Sequence, residues 1–357
     1  MDLVVSTPPG SATHFWYPSS SPRFIFPSSA GPLKSSLRSL LSPWQQTLFG
    51  FRHAVGRTAI PSLRIDAGLV SVLAKYLEFG AIAVSYGTPG PHNKKTLLLM
   101  DHSDHGIAFA KIADRETTRR LLENEACWLQ RFAAARREHF SVPRLVALTE
   151  FEGLLILIQS SLSGTRPPGH PDLPHAAFLK NLHDQCRRTL PWSETRACAN
   201  IDQAFESCSG ILSRAWADRY SRVKDVLRRE LDRPLEVVPA HRDFVPWNAK
   251  LVDDELCVFD WEYAAEDYPS AHDVFHYILL PRVLLRAAIK SPDEILKATG
   301  RFLGKFGLAE IEKRSLRAQL LAYLLDVSGL YISSWERWKE DRVVECYANL
   351  LDQMLEI

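Results

Sequence analysis

Short apolar runs separated by turn residues dominate the chain between residues 66 and 162. Runs of about five to eight mostly apolar residues, many of them β-branched or aromatic, are typical of strands in a buried sheet. Glycine and proline between the first two runs favour a hairpin. The pattern predicts strands at Ala81–Tyr86, Lys95–Met100, Gly106–Ala113, Val142–Val146 and Leu154–Ile158.

From about residue 166 onward, the apolar positions recur mainly at helical spacing instead. The clearest such segments are Ala204–Arg229 and Glu310–Leu330, and Trp335–Leu355 adds a last predicted helix. We therefore predict an α+β protein with a small sheet-rich lobe at residues 66–162 and a larger, mainly helical lobe at residues 163–357.

The N-terminal 65 residues differ from the rest, because Leu3–Ile65 contains no Asp or Glu and Pro and Ser cluster between Ser6 and Ser29. Three interpretations are open. The segment is an extension of the globular body, a basic arm that contacts an anionic membrane surface or another anionic partner, or an organellar transit peptide. Its basic residues are Arg23, Lys34, Arg38, Arg52, Arg57 and Arg64.

Composition narrows the class of protein without identifying it. The chain has 357 residues, 46% hydrophobic and 24% charged, with a net charge of +1, which is typical of a globular protein. No apolar stretch reaches the roughly 18 residues of a membrane-spanning helix. Six scattered cysteines without a C-x-x-C pair argue against structural zinc and favour a reducing, cytoplasmic location. We expect no nucleic-acid partner.

Two charged residues occur at apolar positions in the first lobe. Lys111 lies inside the predicted strand Gly106–Ala113, and Glu125 lies at the centre of the apolar stripe of a predicted helix at Thr117–Phe132. A buried ammonium or carboxylate group is costly without an opposite charge. We therefore predict that Lys111 and Glu125 form an ion pair.

A cluster of polar residues follows two strand-like segments, Leu235–Pro239 and Glu255–Phe259, in the second lobe. Phosphoryl transfer from a nucleotide requires a carboxylate to orient the acceptor hydroxyl, and an amide and a second carboxylate to hold magnesium. The cluster has H-x-D-x4-N spacing and a further Asp seventeen residues after the first: His241, Asp243, Asn248 and Asp260.

This segment resembles the family of aminoglycoside phosphotransferases, choline kinases and homoserine kinases, which is related in fold to protein kinases. The matching residues are His241-Arg-Asp243, Pro246-Trp-Asn248 and Phe259-Asp260-Trp-Glu262. The resemblance implies a two-lobed kinase-like fold with an antiparallel sheet in the smaller lobe. It also implies that Asp243 is the catalytic base or the acid that positions the acceptor hydroxyl, that Asn248 and Asp260 bind magnesium, and that His241 is a scaffold residue that shapes the loop. Family members often carry Gly where this chain has Arg242.

The resemblance implies further nucleotide contacts in the first lobe. Lys111 and Glu125 match the lysine–glutamate pair that aligns the phosphates in kinases. The glycine-containing hairpin after the first strand would supply donors to phosphate from Ser85, Gly87 and Thr88, although a plain surface turn is an equal alternative. The hinge after Leu154–Ile158 would contact adenine through the carbonyl of Ser160 and the amide of Leu162.

Downstream of the motif, Pro269-Ser-Ala-His-Asp273 resembles a family turn whose Asp anchors the catalytic loop. Asp273 could equally be an ordinary acid in the first turn of a helix.

The segment Phe178–His183 resembles a helix of the same family. We interpret His183 as a packed structural histidine.

These features predict an ATP- and Mg²⁺-dependent phosphotransferase that acts on a hydroxyl of a small molecule, with GTP as the other possible donor. The nucleotide would bind in the cleft between the lobes. An aminoglycoside, a sugar and an amino alcohol all remain open as acceptors. Glu262, Glu266 and Asp267 would suit a polycation, whereas Trp335 and Trp338 would suit choline through cation–π contact. The competing class is a nucleotide-binding module without catalysis.

Overall fold

The computed structural model describes residues 66–85, 91–103, 105–134, 142–231 and 233–355. The chain divides into two compact units. The first unit extends to Arg136 and resumes at Val142–Arg166, and the second consists mainly of Pro167–Ile357. The N-terminal extension predicted at residues 1–65 lies outside the described residues, and the lobe boundary at 162/163 stays a prediction.

The first unit contains an antiparallel sheet with strand order β1-β2-β3-β5-β4. Alternate residues of β5 face opposite sides, so Ile156 and Ile158 pack in one apolar cluster and Leu155 and Leu157 in another. Helix α1 contributes to the first cluster and α2 to the second. The elements are α1 (Ala67–Ala74), β1 (Ala81–Ser85), β2 (Lys95–Met100), β3 (Gly106–Ala113), α2 (Glu116–Ala134), β4 (Leu145–Phe151) and β5 (Leu154–Ser160).

Of the five predicted strands, four are observed close to their predicted positions. The strand predicted at Val142–Val146 is wrong in its bounds, because β4 begins at Leu145 and continues through Phe151. Pro143 has no N–H to donate to a ladder, which explains the late start. β4 is an edge strand with only partly buried side chains, including Leu148 at 39% exposure, so an apolar run does not mark it.

The second unit is mainly helical and carries two small antiparallel sheets, β10-β7-β6 and β8-β9. Its longest helix, α8, is buried along most of its length and packs against the surrounding helices. The helices are α3 (Leu173–Cys186), α4 (Arg196–Ser207), α5 (Arg214–Glu230), α6 (His272–Leu284), α7 (Pro292–Lys305), α8 (Lys313–Ser334) and α9 (Arg342–Leu355). The strands are β6 (Arg188–Leu190), β7 (Leu235–Ala240), β8 (Ala249–Val252), β9 (Glu255–Val258) and β10 (Ala265–Pro269).

The single helix predicted at Ala204–Arg229 is wrong, because two helices occupy this region. Helix α4 ends at Ser207, and α5 begins after Ser213, whose hydroxyl accepts a hydrogen bond from the backbone N–H of Trp216 at 3.3 Å. Serine caps helices well, and the Gly210 that precedes it has a low helix propensity. The sequence suggested one helix because each of the two helices has an apolar face that is buried.

Within the described residues, no helix is both long and apolar enough to span a bilayer. All six cysteines lie in this part of the chain, and no disulfide joins any of them.

Candidate active site

The loop that follows β7 is held by its backbone to Asp273 in the first turn of α6. One carboxylate oxygen accepts a hydrogen bond from the backbone N–H of His241 at 2.7 Å, and the other accepts one from Arg242 at 3.0 Å. Burial alone would raise the pKa of Asp273, but the adjacent His272 and these contacts lower it to about 2. Asp273 therefore anchors this loop and is more than an ordinary helix-terminal acid.

His241 is fully buried and fixes the shape of the loop from within. Its Nδ1 accepts a hydrogen bond from the backbone N–H of Asp243 at 3.2 Å, so its Nε2 donates to the carbonyl of Phe259 at 3.1 Å. Its ring packs edge-on against Trp261. Burial lowers the pKa of His241, which favours the neutral imidazole that both contacts require.

Arg242 stands where the family resemblance would often place glycine, and its side chain makes contacts that glycine cannot make. Its φ of 64° lies in the left-handed region, which glycine adopts without steric cost and arginine does not. The guanidinium makes a two-pronged contact with Asp326 of α8, with Nη2 at 2.8 Å and Nε at 3.2 Å from the two carboxylate oxygens. His272 and Tyr268 also hydrogen bond to this carboxylate. The side chain thus ties the strained turn to the core of the second unit.

Asp243, which the sequence predicts to be the catalytic residue, has a partly accessible carboxylate. Its side chain is 28% exposed, and each oxygen has its own partner. Oδ2 accepts a hydrogen bond from the amide of Asn248 at 2.7 Å, and Oδ1 lies 3.3 Å from Nε2 of His276. The carboxylate is therefore fixed in orientation while part of it faces solvent.

Asn248 and Asp260 are brought together by the pairing of β8 with β9. The backbone N–H of Phe259 donates to the carbonyl of Asn248 at 3.0 Å, which places Asp260 one residue beyond this contact. Asp260 has a φ of 75° and a ψ of 51°, so the chain turns sharply at this residue. Asparagine and aspartate tolerate this conformation better than most residues. The two side chains thus belong to one local structure.

The donor atoms in this local structure fit a magnesium ion. The amide nitrogen of Asn248 donates to both the carbonyl and the carboxylate of Asp243, at 3.0 and 2.7 Å, which leaves its carbonyl oxygen to serve as a ligand. Asp260 is half-buried and supplies a carboxylate. Amide and carboxylate oxygens are hard ligands, and Mg²⁺ commonly takes one or two such groups from protein and retains water.

In the first unit, Lys111 and Glu125 form the predicted ion pair. The lysine Nζ lies 2.6 and 2.7 Å from the two carboxylate oxygens. The side chain of Glu125 is fully buried and that of Lys111 is 9% exposed. The pair connects β3 to α2 because Lys111 lies on the face of the sheet that α2 covers.

The other nucleotide contacts predicted in the first unit stay predictions. Ser160 ends β5, where its N–H donates to the carbonyl of Arg144 at 2.9 Å and its hydroxyl accepts from the N–H of Arg144 at 2.9 Å. Leu162 is half-buried just beyond it. Ser85 is the last residue of β1, and Gly87 and Thr88 lie outside the described residues.

The structure changes the expectation for the acceptor pocket. Glu266 and Asp267 both form ion pairs with the single guanidinium of Arg188, at 3.1 and 2.6 Å, so one of their two negative charges is offset. Trp338 is 4% exposed and packs as a core residue. Two of the three acids proposed for a polycation, and one of the two tryptophans proposed for choline, are therefore engaged elsewhere.

Three residues near Asp243 were missed by the sequence reasoning: His276, Asp326 and Tyr323. His276 lies one turn after Asp273 on α6, so helical spacing from Asp273 could have drawn attention to it. Asp326 is an acid within a buried helix, which is a signal for a paired charge. Nothing in the local pattern distinguishes Tyr323 from other core residues.

Buried histidines predict loss of stability in mild acid. Burial lowers the pKa of His183 from 6.5 to about 4, so the unfolded chain binds a proton at higher pH than the folded one. Stability falls as the pH decreases from about 6.5 towards 4, by about 2 kcal/mol between pH 7 and pH 5 for this residue. Urea unfolding gives the free energy of unfolding at pH 7 and at pH 5. The decrease between these pH values should be smaller in His183→Leu than in the wild type by about 2 kcal/mol.

The exposed His170 supplies the control for this measurement, because His170→Gln should retain the full pH dependence of the wild type. A difference between pH 7 and pH 5 that is the same in His183→Leu and in the wild type would contradict the prediction. His272 titrates in the opposite sense, since its partners Asp273 and Asp326 raise its pKa despite burial. Comparing the single variant with the wild type removes that contribution.

The sequence of this chain matches the model of one known protein family. The sequence model of the phosphotransferase enzyme family matches residues 99–310, which is more than half of the chain. No curated protein matches the chain in sequence.

Solved structures match the fold at low sequence identity. A thermostable mutant of aminoglycoside phosphotransferase APH(4)-Ia, in ternary complex with ADP and hygromycin B, matches with a TM-score of 0.57 and 11% identity, over 80% of this chain and 97% of that one. ADP-bound aminoglycoside phosphotransferase APH(2'')-Ib matches with a TM-score of 0.51 and 15% identity, over 82% and 99%. Amicoumacin kinase hAmiN, in complex with AMP-PNP, Ca²⁺ and Ami, matches with a TM-score of 0.55 and 13% identity, over 82% and 93%. The predicted α+β, kinase-like fold is confirmed.

Proposed function

This chain belongs to the phosphotransferase enzyme family, and we propose that it transfers the terminal phosphoryl group of ATP to a hydroxyl of a small molecule. The observation that carries this proposal is the state of Asp243, a partly exposed carboxylate held by separate donors on its two oxygens. A fixed, accessible carboxylate is what an enzyme needs to orient a hydroxyl group and accept its proton.

Asp243 would act on the acceptor. The hydrogen bond from Asn248 and the contact with His276 restrict rotation of the carboxylate, so an incoming hydroxyl meets it in one orientation. Holding reacting groups in position accounts for a large part of the rate enhancement in phosphoryl transfer. Asp273 and His241 contribute by keeping the loop backbone in place.

The nucleotide phosphates would be bound by Lys111, which Glu125 holds in position. Asn248 and Asp260 would hold magnesium, which when bound neutralises the charge that develops on the phosphates. These assignments are supported by the donor atoms that the residues present and by their positions in the family's motif. The carbonyl of Ser160 and the amide of Leu162 would contact the base, and Ser85, Gly87 and Thr88 the phosphates.

The identity of the nucleotide is part of the proposal. Similar solved structures are complexes with ADP, AMP-PNP or GDP, which supports a purine nucleotide. We propose ATP as the donor, with GTP as the alternative that a direct comparison of the two decides.

The acceptor is proposed as a class, an aminoglycoside, sugar or amino alcohol that presents a free hydroxyl. The ion pairs of Glu266 and Asp267 with Arg188 weaken the case for a strongly polycationic acceptor, because they reduce the net charge of these two acids from −2 to −1. Glu262 is itself buried, with 8% exposure. An acceptor with fewer positive charges is therefore favoured over a polycation.

We also propose that the protein works in the cytoplasm. Its six cysteines form no disulfide, as expected for a reducing compartment.

The proposal is tested by measuring nucleoside diphosphate release by the full chain with ATP or GTP and Mg²⁺, across a panel of aminoglycosides, sugars and amino alcohols. We expect release to depend on one acceptor class and to yield one phosphorylated product by mass spectrometry. Binding of the nucleotide without release for any acceptor would favour the module without catalysis. Release that is independent of every acceptor would contradict transfer to a hydroxyl.

Removal of the metal should abolish transfer, and weakening its ligands should raise the metal requirement. With EDTA we expect no product. Asn248→Ala should raise the Mg²⁺ concentration for half-maximal rate by about 10-fold or more, because it removes one of two proposed protein ligands. The exposed Asn349→Ala on α9 is the matched control and should behave as the wild type. An unchanged Mg²⁺ titration for Asn248→Ala would remove this residue from the metal site.

A further inference from the structure

A chain of polar groups leads from the core of the second unit to Asp243. Nε2 of His276 lies 3.3 Å from Oδ1 of Asp243, and Nδ1 of the same ring lies 3.4 Å from the hydroxyl of Tyr323. That hydroxyl lies 2.6 Å from the hydroxyl of Tyr347. His276, Tyr323 and Tyr347 are all buried, so water does not compete for the contacts among these three side chains.

The donors in this chain can be assigned from the chemistry of its end. An ionised carboxylate only accepts hydrogen bonds, so Nε2 of His276 must carry a hydrogen to contact Asp243 favourably. Nδ1 can then accept the hydrogen of the Tyr323 hydroxyl, which in turn accepts from Tyr347. Burial raises the pKa of both tyrosines, so both hydroxyls retain their protons. Every contact then has one donor and one acceptor.

The chain depends on helices at the C-terminal end of the protein. Tyr323 belongs to α8 and Tyr347 to α9. Both residues lie beyond the segment that the family's sequence model matches. His276 is packed edge-on against Tyr323, which fixes the plane of the imidazole. The contact to Asp243 is therefore set by a part of the chain outside the motif.

We propose that His276 is a positioning residue that holds Asp243 by donating from Nε2 to Oδ1, and that Tyr323, supported by Tyr347, fixes its tautomer. This inference rests on the proposed role of Asp243. Asn248 restrains one oxygen of the carboxylate and His276 the other, so loss of His276 lets the carboxylate rotate about its remaining contact. A misplacement of about 1 Å can lower a rate by about 100-fold.

The kinetic test compares a variant that removes the His276 donor, one that keeps a donor, and one that removes only the Tyr323 hydroxyl. We expect His276→Leu to lower kcat by about 10- to 100-fold with KM for the nucleotide unchanged within about twofold. His276→Gln can still donate to Oδ1 and should recover most of this loss. Tyr323→Phe should lower kcat by about 3- to 10-fold, because it removes one hydroxyl and leaves the ring packing in place.

Two further variants separate positioning from a general effect on packing. Tyr220→Phe removes a tyrosine hydroxyl that contacts Asp202 and Lys224, away from this chain of groups, and should retain the wild-type kcat. The double variant His276→Leu/Tyr323→Phe should be no slower than His276→Leu, since Tyr323 acts through His276. Additive losses, or failure of His276→Gln to recover activity while folded, would overturn the proposal.

A spectroscopic test does not require a known acceptor. Nitrogen-15 NMR of the histidine-labelled full chain should show His276 as the Nε2–H tautomer, with its Nδ1 signal shifted by Tyr323→Phe and its Nε2–H signal shifted by Asp243→Asn. The Nδ1–H tautomer, or insensitivity to both substitutions, would overturn the proposal whatever the activity. If the spectrum is as expected but the protein phosphorylates no acceptor, the result counts against the proposed function and leaves the contact between His276 and Asp243 established.

Discussion

Asp243→Asn should lower kcat for transfer by about two to four orders of magnitude while nucleotide affinity changes by less than about threefold. Asparagine matches the size of the side chain but cannot accept a proton or carry a negative charge. Asp243 is assigned to the acceptor hydroxyl, whereas Lys111, Asn248 and Asp260 are assigned to the nucleotide and metal. Steady-state kinetics with the best acceptor of the panel, and separate nucleotide-binding titrations, check the two parts of this prediction.

The matched control for this variant is Asp225→Asn, which removes an exposed carboxylate charge from α5 and should leave both quantities unchanged. A kcat within about threefold of the wild type in Asp243→Asn would reject Asp243 as the residue that acts on the acceptor. A parallel loss of nucleotide affinity would show that this substitution disturbs the site more broadly than the removal of one charge.

Breaking the ion pair between Lys111 and Glu125 should be the most destabilising of the substitutions considered. Lys111→Met leaves the fully buried carboxylate of Glu125 without this partner, and loss of one member of such a pair costs about 3–5 kcal/mol. Urea unfolding should show a decrease of this size. Activity should also fall, because the proposed phosphate ligand is removed.

A double variant separates the structural role of this pair from its proposed catalytic role. Lys111→Met/Glu125→Leu replaces both charges with apolar side chains of similar size, and such replacements are often neutral or stabilising. We expect stability close to that of the wild type, but transfer that remains as low as in Lys111→Met. Recovery of activity together with stability would show that the pair acts only in folding.

The ion pair between Lys111 and Glu125 is a contact that the sequence predicted correctly. A lysine within an apolar strand and a glutamate at the centre of an apolar helix face each require a partner, and they lie only 14 residues apart. The apolar run of the strand and the period of the helix were enough to predict that both side chains are buried. The bounds of β4 and the break between α4 and α5 were not predicted from the sequence. The side chains of β4 are only partly buried, and the break is set by the Ser213 cap instead of by the apolar pattern.

The surroundings of Asp243 illustrate what local patterns omit. Spacing identified Asp243, Asn248 and Asp260 because they share one strand–loop–strand segment. The same pattern gave no reason to connect Asp243 with His276, which is 33 residues away, or Arg242 with Asp326, which is 84 residues away. These contacts depend on which faces of α6 and α8 meet the loop.

The sequence by itself determined four of the five strands of the first unit, the mainly helical character of the second unit and the partner of Lys111. These features follow from periodicity and from the cost of burying charge within short segments. The tertiary structure alone decided that Asp326 compensates the charge of Arg242, that Arg188 forms ion pairs with both Glu266 and Asp267, and that His276 contacts Asp243. Helical periodicity shows that a side chain is buried, but only the packing of distant helices determines which group it meets.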